Sequence, residues 1–170
     1  MAVQIDIAEL LIDQAITHLI SASKFQKIQD QTAESEACIQ AVILFQVAME
    51  AIINEEIERS ASLESVKKEN KGLSSKFKSL SFRNKWERAF DALHISKRKE
   101  LNAYFIFYGR YRNLVSHPKS RYVSLSNYDF ERVFLGIKNG WNAIELLYSG
   151  LGKTRISWEE MCSDKSLLYK

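Results

Sequence analysis

Apolar residues recur along most of this chain at the three- and four-residue spacing of helices buried on one side, without the strict alternation of a half-buried strand. From Ile5 to about Lys27 the stripe runs through Leu11, Ala15, Ile16, Leu19 and Ile20. Asp6, Glu9 and Asp13 fall near the end where a helix dipole favours negative charge. A second run, from about Ala33 to Ser60, carries a broad apolar face through Cys38, Ala41, Val42, Phe45, Met49, Ile52 and Ile53. Its middle is therefore expected to be enclosed on most sides.

Residues 61–80 turn polar and rich in Lys and Ser around Gly72, which predicts a mobile connection with room for a short helical turn. Trp86, Ala89, Phe90 and Leu93 predict a short helix over Phe82–Leu93, after which Ser96 is placed to cap the next. From Ser96 to His117, Leu101, Tyr104, Phe105, Tyr108, Tyr111 and Val115 share one aromatic face. A last long helix is expected over about Ser126–Leu151, through Tyr128, Val133, Phe134, Ile137, Trp141, Ile144 and Tyr148, ending at Gly150 and Gly152. Long helices with short joints predict an all-α chain folded as an antiparallel bundle of four or five helices. One domain over residues 1–152 followed by a C-terminal tail, 153–170, accounts for the pattern.

Composition agrees: six Gly and one Pro are too few for a domain of many short strands. Cys38 and Cys162 lie far apart and form no metal-ligand spacing with His18, His94 or His117, which suggests a reducing setting. The N-terminus lacks a basic leader, and the longest uncharged stretch, Ala37 to Met49, falls short of the roughly 20 residues a bilayer span needs. The expectation is a soluble, cytoplasmic chain with no membrane partner. Charge is unevenly spread, with 3 Lys/Arg against 11 Asp/Glu in residues 1–64 and 15 against 4 in residues 65–121. Such a basic stretch either faces a polyanion or complements the acidic part of the same fold.

The basic stretch ends in Arg112-Asn113-Leu114-Val115-Ser116-His117, followed at once by Pro118, through which a helix does not readily continue. An Arg can clamp a phosphate with two parallel hydrogen bonds, and a His can move protons near neutral pH. Arg112 follows Tyr108 by one turn, so a guanidinium falls on the aromatic face. There it either packs its stem and pairs with an acid or serves chemistry. Asn113 and His117 share a helical face, whereas Arg112 and His117 would be roughly 140° apart on an ideal helix. The two can meet where the helix unwinds before Pro118, or across a two-fold interface between copies.

This segment resembles the R-x(4–6)-H motif of HEPN-domain ribonucleases, in which a polar residue commonly follows the Arg. The run Phe45–Asn54 is also similar to the second helix of such domains, and the resemblance covers about residues 5–150. It implies a helical bundle that dimerises and cleaves single-stranded RNA without metal or cofactor, by attack of the 2′-hydroxyl on the adjacent phosphate. Carried over, Arg112 would hold the phosphate, His117 would transfer protons and Asn113 would orient the substrate or the His. Gln46, Glu50 and Asn54 form a polar line that either faces this site, with Glu50 in a supporting role, or marks a solvent edge.

Around the motif, Arg110, Lys119 and Arg121 are candidates for phosphate contact and Tyr122 for stacking on an unpaired base. The aromatics from Tyr104 to Tyr111 follow core spacing. Implied partners are RNA, a second copy, and an antitoxin or nucleotidyltransferase. Toxins silenced by the latter often carry Tyr two residues after the His, where this chain has Lys119, a departure from that mode of control. The rival readings are a non-catalytic HEPN-like module that binds RNA, nucleotide or protein, and a structural helical dimer with Arg112 in a buried ion pair.

Overall fold

The computed structural model describes residues 6–74, 80–116 and 128–164, and all their regular structure is helical. In chain order these are α1 (Ile7–Lys27), α2 (Gln31–Arg59), a 3-10 turn (Ala61–Leu63), α3 (Glu64–Ser74), α4 (Phe82–Ala92), α5 (Lys99–Ser116), α6 (Phe130–Gly150) and α7 (Trp158–Asp164). Side-chain oxygens start five of them: Asp6 accepts from the Glu9 amide, Asp30 from Ala33, Ser81 from Asn84, Asp129 from Arg132 and Ser157 from Glu160. Each satisfies an amide that the first helical turn leaves without a partner.

The Asp129 cap moves the start of α6 to Phe130, after the expected position. Tyr128 precedes the helix, is fully buried, and donates its hydroxyl to the Tyr111 carbonyl at 3.4 Å. Likewise α5 starts at Lys99, so Ser96 does not cap it. Arg98 instead reaches back to Asp91 at 2.5 Å.

α1 and α2 form an antiparallel hairpin whose outer seam brings Gln14 and His18 beside Gln40, Ile43 and Leu44. α6 runs parallel to α2, with Phe130 near Glu34 and Gly140 near Phe45, and antiparallel to α5, with Gly140 near Tyr104 and Gly136 near Phe107. Most of the expected stripes fill the core: Ala15, Ile16 and Leu19 from α1, Phe45, Met49 and Ile53 from α2, and Leu101, Tyr104 and Tyr111 from α5 are buried, whereas Leu11 and Ile20 are half-buried and Ile12, outside the expected stripe, is buried. By length and composition alone α2 could cross a membrane, although half of its apolar window is buried in the bundle.

Two stretches depart from the expectation. Residues 61–80, read as a connection, contain the 11-residue helix α3. Its anchors are small, with Leu63 and Val66 buried beneath a Lys/Glu surface. Lys67 reaches the Glu58 carbonyl at 2.7 Å, and Asn70 accepts from the Leu80 amide at 3.0 Å. The core also runs on past Gly152, because Trp158, Met161 and Cys162 are buried in it, and Trp158 stands edge-on to Trp141 and Phe134.

α5 and α6 approach closely because α6 presents glycine at both crossings. A Cβ at Gly140 would lie 2.5 Å from Phe45 Cε1 and 2.8 Å from Tyr104 Cδ2, and one at Gly136 would overlap the Phe107 ring. Phe107 is only half-buried and can swing outward, whereas Phe45 and Tyr104 are enclosed. Gly140→Ala is therefore expected to cost about 2–3 kcal/mol and Gly136→Ala about 1 kcal/mol or less in urea denaturation, as overpacking costs usually run. Equal losses would contradict this packing.

Candidate functional site

The motif falls where α5 ends. Arg112 and Asn113 belong to its last turns, which run to Ser116, whereas their side chains, together with His117, Lys119, Arg121 and Tyr122, lie outside the described residues. One turn earlier, Tyr108 is half-buried between α2 and α4. Its hydroxyl accepts from Gln46 Nε2 at 3.4 Å, and its ring lies 5.0 Å from that of Phe82 and 6.2 Å from that of Tyr104.

The polar line on α2 thus meets α5 at the turn leading into Arg112. Its far end meets α4, where Asn54 Oδ1 accepts from Lys85 Nζ at 2.8 Å. Glu50, between the two, is exposed. Arg110 lies on another side of α5, about 200° from Tyr108 by helical geometry, where it lines a groove against α6 with Arg132. Arg110 therefore lies on a different side of α5 from the polar line that carries Glu50. His94 lies in the exposed joint after α4 at φ 55°, and His18 is half-buried on the α1–α2 seam. Among the described residues no group of three or more His, Cys, Asp and Glu side chains is arranged to hold a metal ion.

A second polar cluster, with no counterpart in the sequence reading, ties the end of α6 to the start of the chain. Gly152, at φ 69°, turns the backbone so that the Lys153 amide bonds the Tyr148 carbonyl at 2.8 Å, a glycine C-cap. Lys153 Nζ then reaches both Glu56 oxygens at 2.6 Å. Two residues on, Arg155, its side chain 7% exposed, pairs with Glu9, and its guanidinium lies 4.5 Å from the Trp141 ring centroid. Glu9, Asp13, Trp141, Arg155 and Met161 border a cavity of about 170 Å³. Two basic residues flanking Thr154 before an isolated Trp158 were the only sequence signal, and nothing in their spacing names Glu56 or Glu9 as partner.

At the opposite end of α6, buried Glu34 accepts from the Phe130 amide at 2.8 Å. Burial first, then the negative charges of Glu34 and Asp129, push the neighbouring Cys38 thiol up to about 12. Burial likewise pushes Cys162 up to about 11 and the Tyr128 and Tyr148 phenols to about 12. None of these groups is poised as a nucleophile at neutral pH.

Comparison of the chain with protein-family models, with curated proteins and with solved structures gives no match.

Removing Lys153 would strand the Glu56 carboxylate, which is 7% exposed. Lys153→Ala is expected to cost about 2–3 kcal/mol, less than for a fully buried pair because the ammonium is 49% exposed. Adding Glu56→Gln should restore part of that loss, and a double variant as unstable as the sum of the single ones would refute the pairing. The raised thiol and phenol values also set a sign. Folded values above the unfolded 9.0 of Cys and 10.0 of Tyr mean that this contribution to stability is full below those values and lost as pH rises through them. Urea denaturation should therefore show a lower unfolding free energy at about pH 10.5 than at about pH 8. Iodoacetamide at the lower pH should leave both thiols unmodified until the chain is unfolded.

Proposed function

We propose that this chain is a metal-independent endoribonuclease of the HEPN type, acting on single-stranded RNA in a cytoplasm, as a toxin or defence nuclease. The observation that supports it is the position of the motif: Arg112 and Asn113 fall in the last turns of α5, in a chain whose described residues fold as a helical bundle. In this reading Arg112 neutralises the phosphate and stabilises the charge that builds on it during attack. His117 takes the proton of the 2′-hydroxyl or delivers one to the leaving 5′-oxygen. The products are a 2′,3′-cyclic phosphate and a free 5′-hydroxyl, and no water is consumed in that step.

Asn113 shares a helical face with the position of His117 and orients it or the strand. A homodimer lets the two copies of the motif face each other, so that a single strand meets an Arg from one and a His from the other. Lys119, Arg121 and Tyr122 follow the motif and supply phosphate and base contacts. Arg110, turned toward α6, is not needed in this scheme. The bond from Gln46 to Tyr108 braces the turn before Arg112, so Gln46 takes the positioning role first considered for the exposed Glu50.

The test incubates the parent, Arg112→Ala and His117→Ala with mixed single-stranded RNA in EDTA, after circular dichroism has established that all three fold. Cleavage by the parent leaving cyclic-phosphate ends, with a loss of about 100-fold or more in either variant, is the expected result. Cleavage that survives both substitutions, or that stops in EDTA, overturns the mechanism. RNA binding without cleavage by the folded parent would mark a non-catalytic module instead.

A further inference from the structure

The antiparallel crossing of α5 and α6 leaves an open groove of about 310 Å³ on the side of α5 away from the polar line. Each helix contributes residues at i, i+3, i+4 and i+7, counted from Ala103 on α5 and from Arg132 on α6. The floor is the Phe107 ring, seated against Gly136, and the walls are Ile106 and Leu135, which are 76% and 57% exposed. Because the helices run in opposite directions, Arg110 and Arg132 come to the same end of the groove. Arg132 pairs with Asp129 at 3.1 Å, Arg110 forms no ion pair among the described residues, and no carboxylate lines the groove.

We propose that this groove docks an amphipathic helix of a partner protein, one that places apolar side chains over Ile106, Phe107 and Leu135 and a carboxylate at the Arg110–Arg132 end. The charge balance selects that occupant. A second copy presenting the same face brings two further guanidiniums and no further acid, so self-docking leaves the Arg110 of each copy without a counter-charge. RNA would neutralise the arginines, but the exposed walls its bases would meet, Ile106 and Leu135, are aliphatic, and the one ring at the floor, Phe107, is half-buried against Gly136. From Ala103 to Tyr111 the groove is about 12 Å long, the reach of two helical turns. This fits a helix with apolar residues at i, i+3 and i+4 and acidic residues beside them. The inference stands independently of the nuclease reading, since it uses none of Arg112, Asn113 or His117.

The probe is a fluorescein-labelled, end-blocked helical peptide with Leu at i, i+3, i+4 and i+7 and Glu on the flanking positions, compared with peptides carrying Gln or Lys in place of Glu. Fluorescence anisotropy should show saturable binding of the Glu peptide, weakened about tenfold or more with Lys, equivalent to about 1.4 kcal/mol. Hydrogen exchange should slow over 103–111 and 132–139. The double variant Ile106→Asp/Leu135→Asp should weaken binding about tenfold or more, and Arg110→Gln/Arg132→Gln should erase the preference for Glu over Gln. Where the Asp pair lowers helicity, Ile106→Gln/Leu135→Gln carries the same comparison. No binding, equal binding of the three peptides, or binding indifferent to the wall variants overturns the proposal. So does self-association in sedimentation that the wall variants abolish, which makes a second copy the occupant. Binding of a single-stranded RNA oligonucleotide that the wall variants abolish assigns the groove to RNA and overturns it as well.

Discussion

Three helices meet where α6 has no side chain. At Gly140 the Phe45 ring of α2 and the Tyr104 ring of α5 stand edge to face, with centroids 6.0 Å apart, in space that a Cβ would occupy. Without that notch α6 would stand off from both neighbours, and the aromatic column of α5 would lose its wall. The column continues in both directions: Tyr104 packs near Phe105, Phe107 and Tyr108, and Phe107 and Tyr128 pack on Tyr111. Contacts of this kind stabilise beyond their buried area and also fix the rotation of a helix about its axis. The orientation of α5 decides which residues lead into the Arg112 turn and which face the α6 groove.

The two ends of α6 are held by charge. Glu34 accepts from its first amide, that of Phe130, while Lys153 and Arg155, just beyond its last turn, reach Glu56 and Glu9. Part of the acidic surplus of the first 64 residues is thereby consumed inside the molecule, by groups from α6 and the segment after it. The basic surplus of residues 65–121 is met in part by local pairs, Lys67 with Glu58, Arg83 with Glu87 and Arg98 with Asp91. Arg110 has no such pair among the described residues, and it stands beside an exposed aliphatic wall.

α5 therefore works as a spine with different faces. One packs Tyr104 and Tyr111 into the core, another sets Tyr108 against Gln46 and Phe82, and a third opens Ile106 and Arg110 to solvent. A chain that cuts RNA at the end of this helix and is held by a partner along its outer face would use the two surfaces without competition between them. The rigid packing of Tyr104 and Tyr108 couples them only through the position of the helix itself.

The long helices were legible because each buries one stripe, and the period of that stripe is a local property of the sequence. The Gly152 terminus was legible from chemistry within a few residues, whereas the caps at Asp30 and Ser81 were passed over and Ser96, read as a cap, does not start α5. The helix α3 was hidden because it carries few apolar residues, with Val66 buried and Leu63 buried in the turn before it, and it is tied by contacts of Lys67 to Glu58 and of Asn70 to Leu80. Glu56 and Lys153 could not be paired from sequence, since 97 positions separate them and an ion pair leaves no periodic trace. The same holds for the choice between Gln46 and Glu50 on the polar line. Both sit at helical spacing, and only the approach of α5 decides that Gln46 meets Tyr108 while Glu50 faces water. Sequence alone determined the helical class and most of the core stripes. Tertiary structure decided which faces meet, because contact between distant residues depends on how helices cross, and the crossing is set by where glycine lets rings close in.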